Sequence, residues 1–192
     1  MKKKKKEAKP ADRRVQKTKK LLSDALIALI IEKGFESVSI KDIIEKANVG
    51  RSTFYTHFED KEQLLLWGHD TFKKLLTEDV KPLLNESKAS CINFNFLYEH
   101  IQEQRLLIST LLGERGGEIA MEQLRKIFVH RITMYFGKKD LWKSEPSLFQ
   151  ITAHAAAAAM IALLVQWMEQ EMPFSTDEMA KQSELLLMKM LG

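Results

Sequence analysis

Between residues 51 and 61 the chain places Arg51, Ser52, Thr53, Tyr55, Thr56, His57 and Lys61, with Phe54 and Phe58 set among them. Guanidinium, hydroxyl, phenol, imidazole and ammonium groups in close succession donate to phosphate oxygens and meet hydrogen-bonding groups on base edges. Phe54 and Phe58 are four residues apart, so on a helix over about 51–58 they form one apolar face and leave the polar groups on the other. The preceding residues supply the scaffold. Ser39 and Asp42 have capping-box spacing, in which the hydroxyl satisfies an orphan N–H and the acid returns a bond to the cap residue, so a helix is predicted from Ile40. Ile40, Ile43, Ile44 and Ala47 recur at helical steps, while Lys41, Asp42, Glu45 and Lys46 face water. Asn48 and Gly50 tolerate non-helical geometry and let the chain reverse before Arg51. Two short helices around a tight turn, the second polar on one face, form the pattern of a helix-turn-helix DNA reader.

The string Thr53-Phe54-Tyr55-x-His57-Phe58, followed by Lys61 and Leu64-Leu65, resembles the recognition helix and the next helix start of the TetR family of bacterial transcriptional regulators. The resemblance covers residues 17–66. It includes an upstream amphipathic helix with Leu22, Ala25, Leu26, Leu29 and Ile30 on one face and Gly34 at its C-cap before Phe35. Beyond residue 80 only the helical layout is similar. Gly50 stands where the family often has serine and Asn48 where it often has glycine; glycine is an acceptable N-cap and asparagine visits the left-handed region, so the fold is not threatened. The candidate DNA-binding residues are Ser39, Lys41, Arg51, Ser52, Thr53, Tyr55, Thr56, His57 and Lys61. Lys41 is assigned to phosphate, and Lys61 adds its ammonium to the positive end of the next helix for the same purpose. The resemblance places Thr53 and Tyr55 at backbone and base edges and Phe54 and Phe58 in the core. Lys41 and Arg51 are otherwise ordinary solvated charges, and His57 has a structural alternative to a phosphate contact.

Charge divides unevenly along the chain. Residues 1–20 hold eleven Lys or Arg and two acids, a net of +9; with +4 overall, residues 21–192 carry −5. The lysine run should leave residues 1–16 as a disordered basic arm, either a solubilising tail or a segment that follows phosphates beside the reader. The helix-turn-helix domain is placed at 17–62 and a helical effector-binding and dimerisation domain at 63–192. A chain of 192 residues, 45% hydrophobic, can bury a sizeable core. The single cysteine, Cys91, excludes an intrachain disulfide. No apolar leader and no uninterrupted apolar run of about 18 residues is evident, so a cytoplasmic protein without a membrane partner is expected.

Helices are expected from 60 to about 84, near 94–112, 118–136, 147–171 and 176–191, with turns at Gly113–Gly117, Gly137–Asp140 and Met172-Pro173 and a second capping box at Ser175 and Glu178. The fold class is therefore all-α. The last two helices are too apolar for a water-facing surface. They are either core helices of a monomer or, as the resemblance implies, a homodimer bundle in which Ala155, Ala157, Ile161, Leu164, Leu185 and Leu186 meet a second copy. Two-fold symmetry would require an approximately palindromic operator. A small-molecule effector follows from the resemblance, with Phe94, Tyr98, His100, Phe128, Phe149 and Trp167 as candidate pocket residues.

Catalytic signatures are missing from the sequence. The histidines complete neither Glu-x-x-His nor His-x-x-x-His, and the Gly113–Gly117 stretch lacks the Gly-Lys-Ser/Thr end of a P-loop. No Gly-x-Ser-x-Gly elbow occurs. An enzyme is not expected, and no metal or cofactor is called for. The reading is a transcriptional regulator, a repressor released from its operator by a small apolar or amphipathic ligand. The alternative is a helical DNA-binding or protein-interaction module with no effector.

Overall fold

A computed structural model describes residues 10–68, 91–137 and 143–191, and among these every regular element is a helix. The elements are α1 (Pro10–Lys33), α2 (Ile40–Ala47), α3 (Arg51–His57), α4 (described over 61–68), α5 (Phe94–Glu103), α6 (Arg105–Leu111), α7 (Arg115–Phe136), α8 (Pro146–Glu169) and α9 (Thr176–Leu191). The expected disorder of residues 1–9 and the remainder of the helix expected from 60 to about 84 lie outside the described residues.

Helix α1 begins at Pro10 rather than residue 17, because Arg13, Arg14, Gln16 and Lys17 are good helix formers that extend the amphipathic stretch. The long 94–112 segment is broken at Gln104 into α5 and α6. Gly116 and Gly117, expected in a turn, are instead buried in the first turn of α7. A Cβ on Gly116 would lie 2.7 Å from Leu111 Cδ2 and 2.8 Å from Phe35 Cγ, so glycine here serves close packing and not chain reversal. The last helix starts as its cap predicts: Ser175 N–H donates to Glu178 Oε2 at 2.9 Å and Glu178 N–H to Ser175 Oγ at 3.2 Å.

Two apolar clusters organise the described residues. The first is the reader's core, where Leu22, Leu26, Ile30, Phe35, Ile43, Phe54, Phe58 and Leu64 are buried together with Leu111 from α6. The second lies in the C-terminal helices, where α5 packs on α9 and α7 on α8 around Phe94, Tyr98, Phe128, Phe149, Met160 and Trp167. Helix α8 is long and apolar enough to cross a membrane by length and composition, although polar residues keep it from holding an uninterrupted apolar run of about 18 residues. Thr152 and His154 interrupt the apolar sequence, yet the helix still holds an 18-residue window of mean hydropathy 1.9. One side of α8 is buried through Phe149, Ala153, Ala156, Ala157, Met160, Leu164 and Trp167, and its other side leaves Leu148 and Ile151 exposed.

Candidate nucleic-acid interface

The reader's geometry begins with the cap of α2. Ser39 Oγ accepts from Asp42 N–H at 3.2 Å and donates to Asp42 Oδ2 at 2.6 Å, while Ser39 N–H donates to the same carboxylate at 2.8 Å. These bonds, with Lys33 at 2.9 Å, hold the Asp42 carboxyl well below its ordinary range. Asn48 ends α2 in the left-handed region at φ 53°, and its N–H returns to Glu45 and Ile44 carbonyls. Gly50 takes extended geometry at φ −71° and ψ 151°, and α3 starts without a side-chain cap. The reversal therefore depends on the positive φ of Asn48, while Gly50 holds an extended conformation that other residues also adopt.

Burial of Phe54 and Phe58 orients α3. Arg51, Ser52, Tyr55 and Thr56 are exposed, whereas Thr53 and His57 are partly covered. Tyr55 is 48% exposed, with its ring edge-on to Phe54 and its centroid 5.8 Å from the Arg51 guanidinium. Thr56 Oγ1 donates to Ser52 O at 2.8 Å, which uses its proton and leaves the oxygen as an acceptor. On α2, Lys41 stands free of the surface, 3.8 Å from Glu45. Lys41, Arg51, Ser52, Tyr55 and Thr56 thus share solvent access on the helix-turn-helix face. Ser39 is exposed too, but its hydroxyl is engaged in the cap.

Lys61 departs from its expected place. Its ammonium lies 4.5 Å from the Phe35 ring centroid and donates to the carbonyls of Phe35 at 2.7 Å, Val38 at 2.9 Å and Glu36 at 3.2 Å. An ammonium has three donors, and here all are directed at the α1–α2 loop. Lys61 therefore anchors that loop in the free protein instead of presenting its charge to solvent.

The ligand region also differs from the sequence reading. A cavity of about 520 Å³ lies at the junction of the reader and the C-terminal helices, bordered by Ser23 and Ile27 of α1, Trp67 of α4, Gln104 of α5–α6, Leu111 of α6 and Met121 of α7. Of the six residues expected there, His100 alone borders it; burial lowers the His100 pKa and favours neutral imidazole. Phe94, Tyr98, Phe128, Phe149 and Trp167 are core residues of the C-terminal cluster. Tyr98 and Ser183 share a hydrogen bond at 2.7 Å, and Trp167 Nε1–H donates to Phe174 O at 2.9 Å, so the polar atoms of both rings have partners inside the fold. Sequence periodicity identified apolar side chains and had no means of telling which of them border empty space.

The proposed interface residues divide by helical phase. Ala157 and Leu164 are buried within the subunit's own core, which removes them from the candidate interface. Ala155, Leu185 and Leu186 are exposed and Ile161 is half-buried. Residues missed by the sequence reading include Ile151 at 68% and Phe174 at 57% exposure, the first on α8 and the second in the loop that follows it. The signal for Ile151 was the helical step of three and four from Leu148 through Ile151, Ala155, Ala158 and Ala162, whereas Phe174 lies in the loop after α8, where no such step operates.

A buried-core helical unit that displays α3's polar face defines the class: an all-α helix-turn-helix DNA-binding protein. Residues 22–66 match the pattern described as "Bacterial regulatory proteins, tetR family", and residues 92–189 match "Transcriptional regulator C-terminal region". The chain belongs to the TetR family of transcriptional regulators. The HTH-type regulator YhgD of Bacillus subtilis (strain 168) is 25% identical over 188 residues, covering 91% of this chain and 96% of that protein. The regulator YxbF of the same organism is 41% identical over 58 residues, 30% of this chain and 15% of that protein, so that likeness is confined to a small part of it. The crystal structure of a TetR regulator from Streptococcus agalactiae 2603V shares the fold, with a TM-score of 0.62, 24% identity and coverage of 92% of this chain and 97% of that one. Members of this family are regulators and not enzymes.

Proposed function

We propose that this chain is a homodimeric cytoplasmic repressor that occupies an approximately palindromic operator and leaves it when a small apolar or amphipathic molecule enters the junction cavity. The observation that carries the reading is the cavity's position. Ser23 and Ile27 come from the reader's first helix and Leu111 from the helix that completes the reader's core, so an occupant would touch both units at once. A ligand shifts a conformational equilibrium only by binding one state better than the other, and a site shared by two units is sensitive to their relative placement. Repression needs nothing beyond occupancy, since a bound dimer excludes other proteins from the DNA it covers.

In this reading Lys41 and Arg51 meet phosphates, while Ser52, Thr53, Tyr55 and Thr56 meet sugar, phosphate and base edges in the major groove. The dimer is supported by α8, α9 and the loop between them, whose exposed Leu148, Ile151, Phe174, Leu185 and Leu186 offer apolar area to a second copy. A direct test begins with duplexes selected from a random pool by the protein. Palindromic enrichment, two chains per duplex in sedimentation, and reduced transcription from a promoter carrying the selected sequence are the expected results. One chain per duplex, or enrichment of a single unrepeated half-site, would overturn the two-fold reading.

A further inference from the structure

The loop from Gly34 to Val38, which joins α1 to α2, is gripped from two directions. Lys61 takes its carbonyls, as described, and Glu114 of the α6–α7 turn takes its N–H groups. Phe35 N–H donates to Glu114 Oε2 at 2.6 Å and Glu36 N–H donates to the same oxygen at 3.4 Å. The grip is reciprocal, because Arg115 N–H donates to Glu36 Oε1 at 3.2 Å. The Arg115 guanidinium also lies 3.8 Å from Glu62 on α4. Main-chain groups of each unit are thus held by a carboxylate of the other, immediately before the cap residue Ser39 that starts α2.

Little slack exists around this clasp. Gly34 sits at φ +76°, and a Cβ there would come within 2.5 Å of Glu114 Oε1. On the other side, Leu111, Leu112 and Gly117 flank Glu114 in sequence and border the junction cavity. The turn that carries the carboxylate is therefore part of the cavity wall.

We propose that Glu114 is a positioning residue for DNA reading: its carboxylate sets the angle at which α2 and α3 leave the body of the protein, and displacement of the 111–117 turn by an occupant of the cavity reaches the reader through it. The positioning role stands on the clasp alone, whereas the transmission role rests on the effector reading above. Directional bonds from two backbone N–H groups to one carboxylate fix an orientation, which general apolar contact does not.

The experiment compares wild type, Glu114→Gln and Glu114→Ala on the duplex selected by wild type and on a random duplex. Glutamine keeps a carbonyl oxygen for Phe35 N–H; alanine keeps none. Glu114→Ala should bind the selected duplex about tenfold more weakly, with random-duplex affinity and sedimentation unchanged and faster amide exchange at Phe35, and Glu114→Gln should stay close to wild type. Wild-type affinity of Glu114→Ala for the selected duplex overturns the positioning role, as does an equal loss on both duplexes, the mark of general destabilisation. Should Glu114→Ala fail to fold, Glu36→Ala removes the reciprocal bond and is judged by the same criteria.

Transmission is tested with Ala120→Phe, which sets a ring into the cavity as a fixed occupant; Met121→Trp replaces it if that variant does not fold. The ring should weaken selected-duplex binding in the wild-type background and add nothing in the Glu114→Ala background. Additive losses in the double variant overturn transmission through Glu114. A cavity-filled variant that binds the selected duplex like wild type instead overturns the effector reading and with it transmission, while the Glu114→Ala result alone decides the positioning role.

Discussion

The ring of Phe35 lies against the bare α-carbon of Gly116, where a Cβ would come 2.8 Å from Cγ. Phe35 belongs to the reader's core and Gly116 to the C-terminal unit, so the absence of one methyl group sets how closely the two approach. Gly116→Ala should cost about 1–3 kcal/mol, since a buried ring must move to make room. Gly113→Ala provides the contrast: no atom lies within 4 Å of its added Cβ, and only the backbone at φ +84° resists, at about 1–2 kcal/mol. Amide exchange at Phe35 should accelerate in the first variant more than in the second. A Gly116→Ala protein with the melting temperature of wild type would show that the units do not meet there.

Phe54 and Tyr55 are adjacent in sequence and opposite in role. Phe54 is fully buried, and Phe54→Ala should destabilise the protein by about 3–5 kcal/mol in a thermal or denaturant melt. Tyr55→Ala should leave the melt near that of wild type and weaken binding to the selected duplex. Normal affinity in the Tyr55 variant would remove that residue from the interface.

Helical phase separates two substitutions on α8. Ala157→Glu would place an unpaired carboxylate in the subunit core and should unfold the chain. Ile151→Glu alters an exposed position and should preserve helicity by circular dichroism while shifting sedimentation from dimer to monomer. A dimer that survives Ile151→Glu would move the interface away from this face of α8.

The α2 cap predicts a pH response with a definite sign. Asp42 ionises more readily in the folded chain, chiefly through the Ser39 hydroxyl and then Lys33, so its contribution is fully present above the ordinary aspartate value of 3.8 and fades as pH falls below it. An NMR titration should find the Asp42 midpoint well under 3.8 in wild type and raised in Ser39→Ala. Equal midpoints in the two proteins would mean that the capping box does not set the ionisation.

Short-range physics made the reader legible. Ser39 and Asp42 are three residues apart, Phe54 and Phe58 four, and Asn48 and Gly50 flank a single valine; each pattern acts through its own turn of chain, so sequence spacing is also spatial spacing. The same holds for the Ser175 and Glu178 cap and for the all-α class. Lys61 was misread for the opposite reason. Its carbonyl partners lie 23 to 26 residues upstream, and the positive end of its own helix offered a local explanation that proximity in space overrode.

The sequence by itself determined the all-α class, where the two caps fall and which face of α3 is polar, because these depend on backbone preference and on side chains one turn apart. Tertiary structure decided that Leu111 completes the reader's core, that Glu114 clasps Phe35 across 79 residues, and that the cavity opens between the units instead of among Phe94, Tyr98 and Phe128. It also turned Ala157 and Leu164 inward and left Ile151 outside. An apolar residue records that it will be buried, but the partner that buries it, and any space left beside it, exist only once helices distant in the chain have packed together.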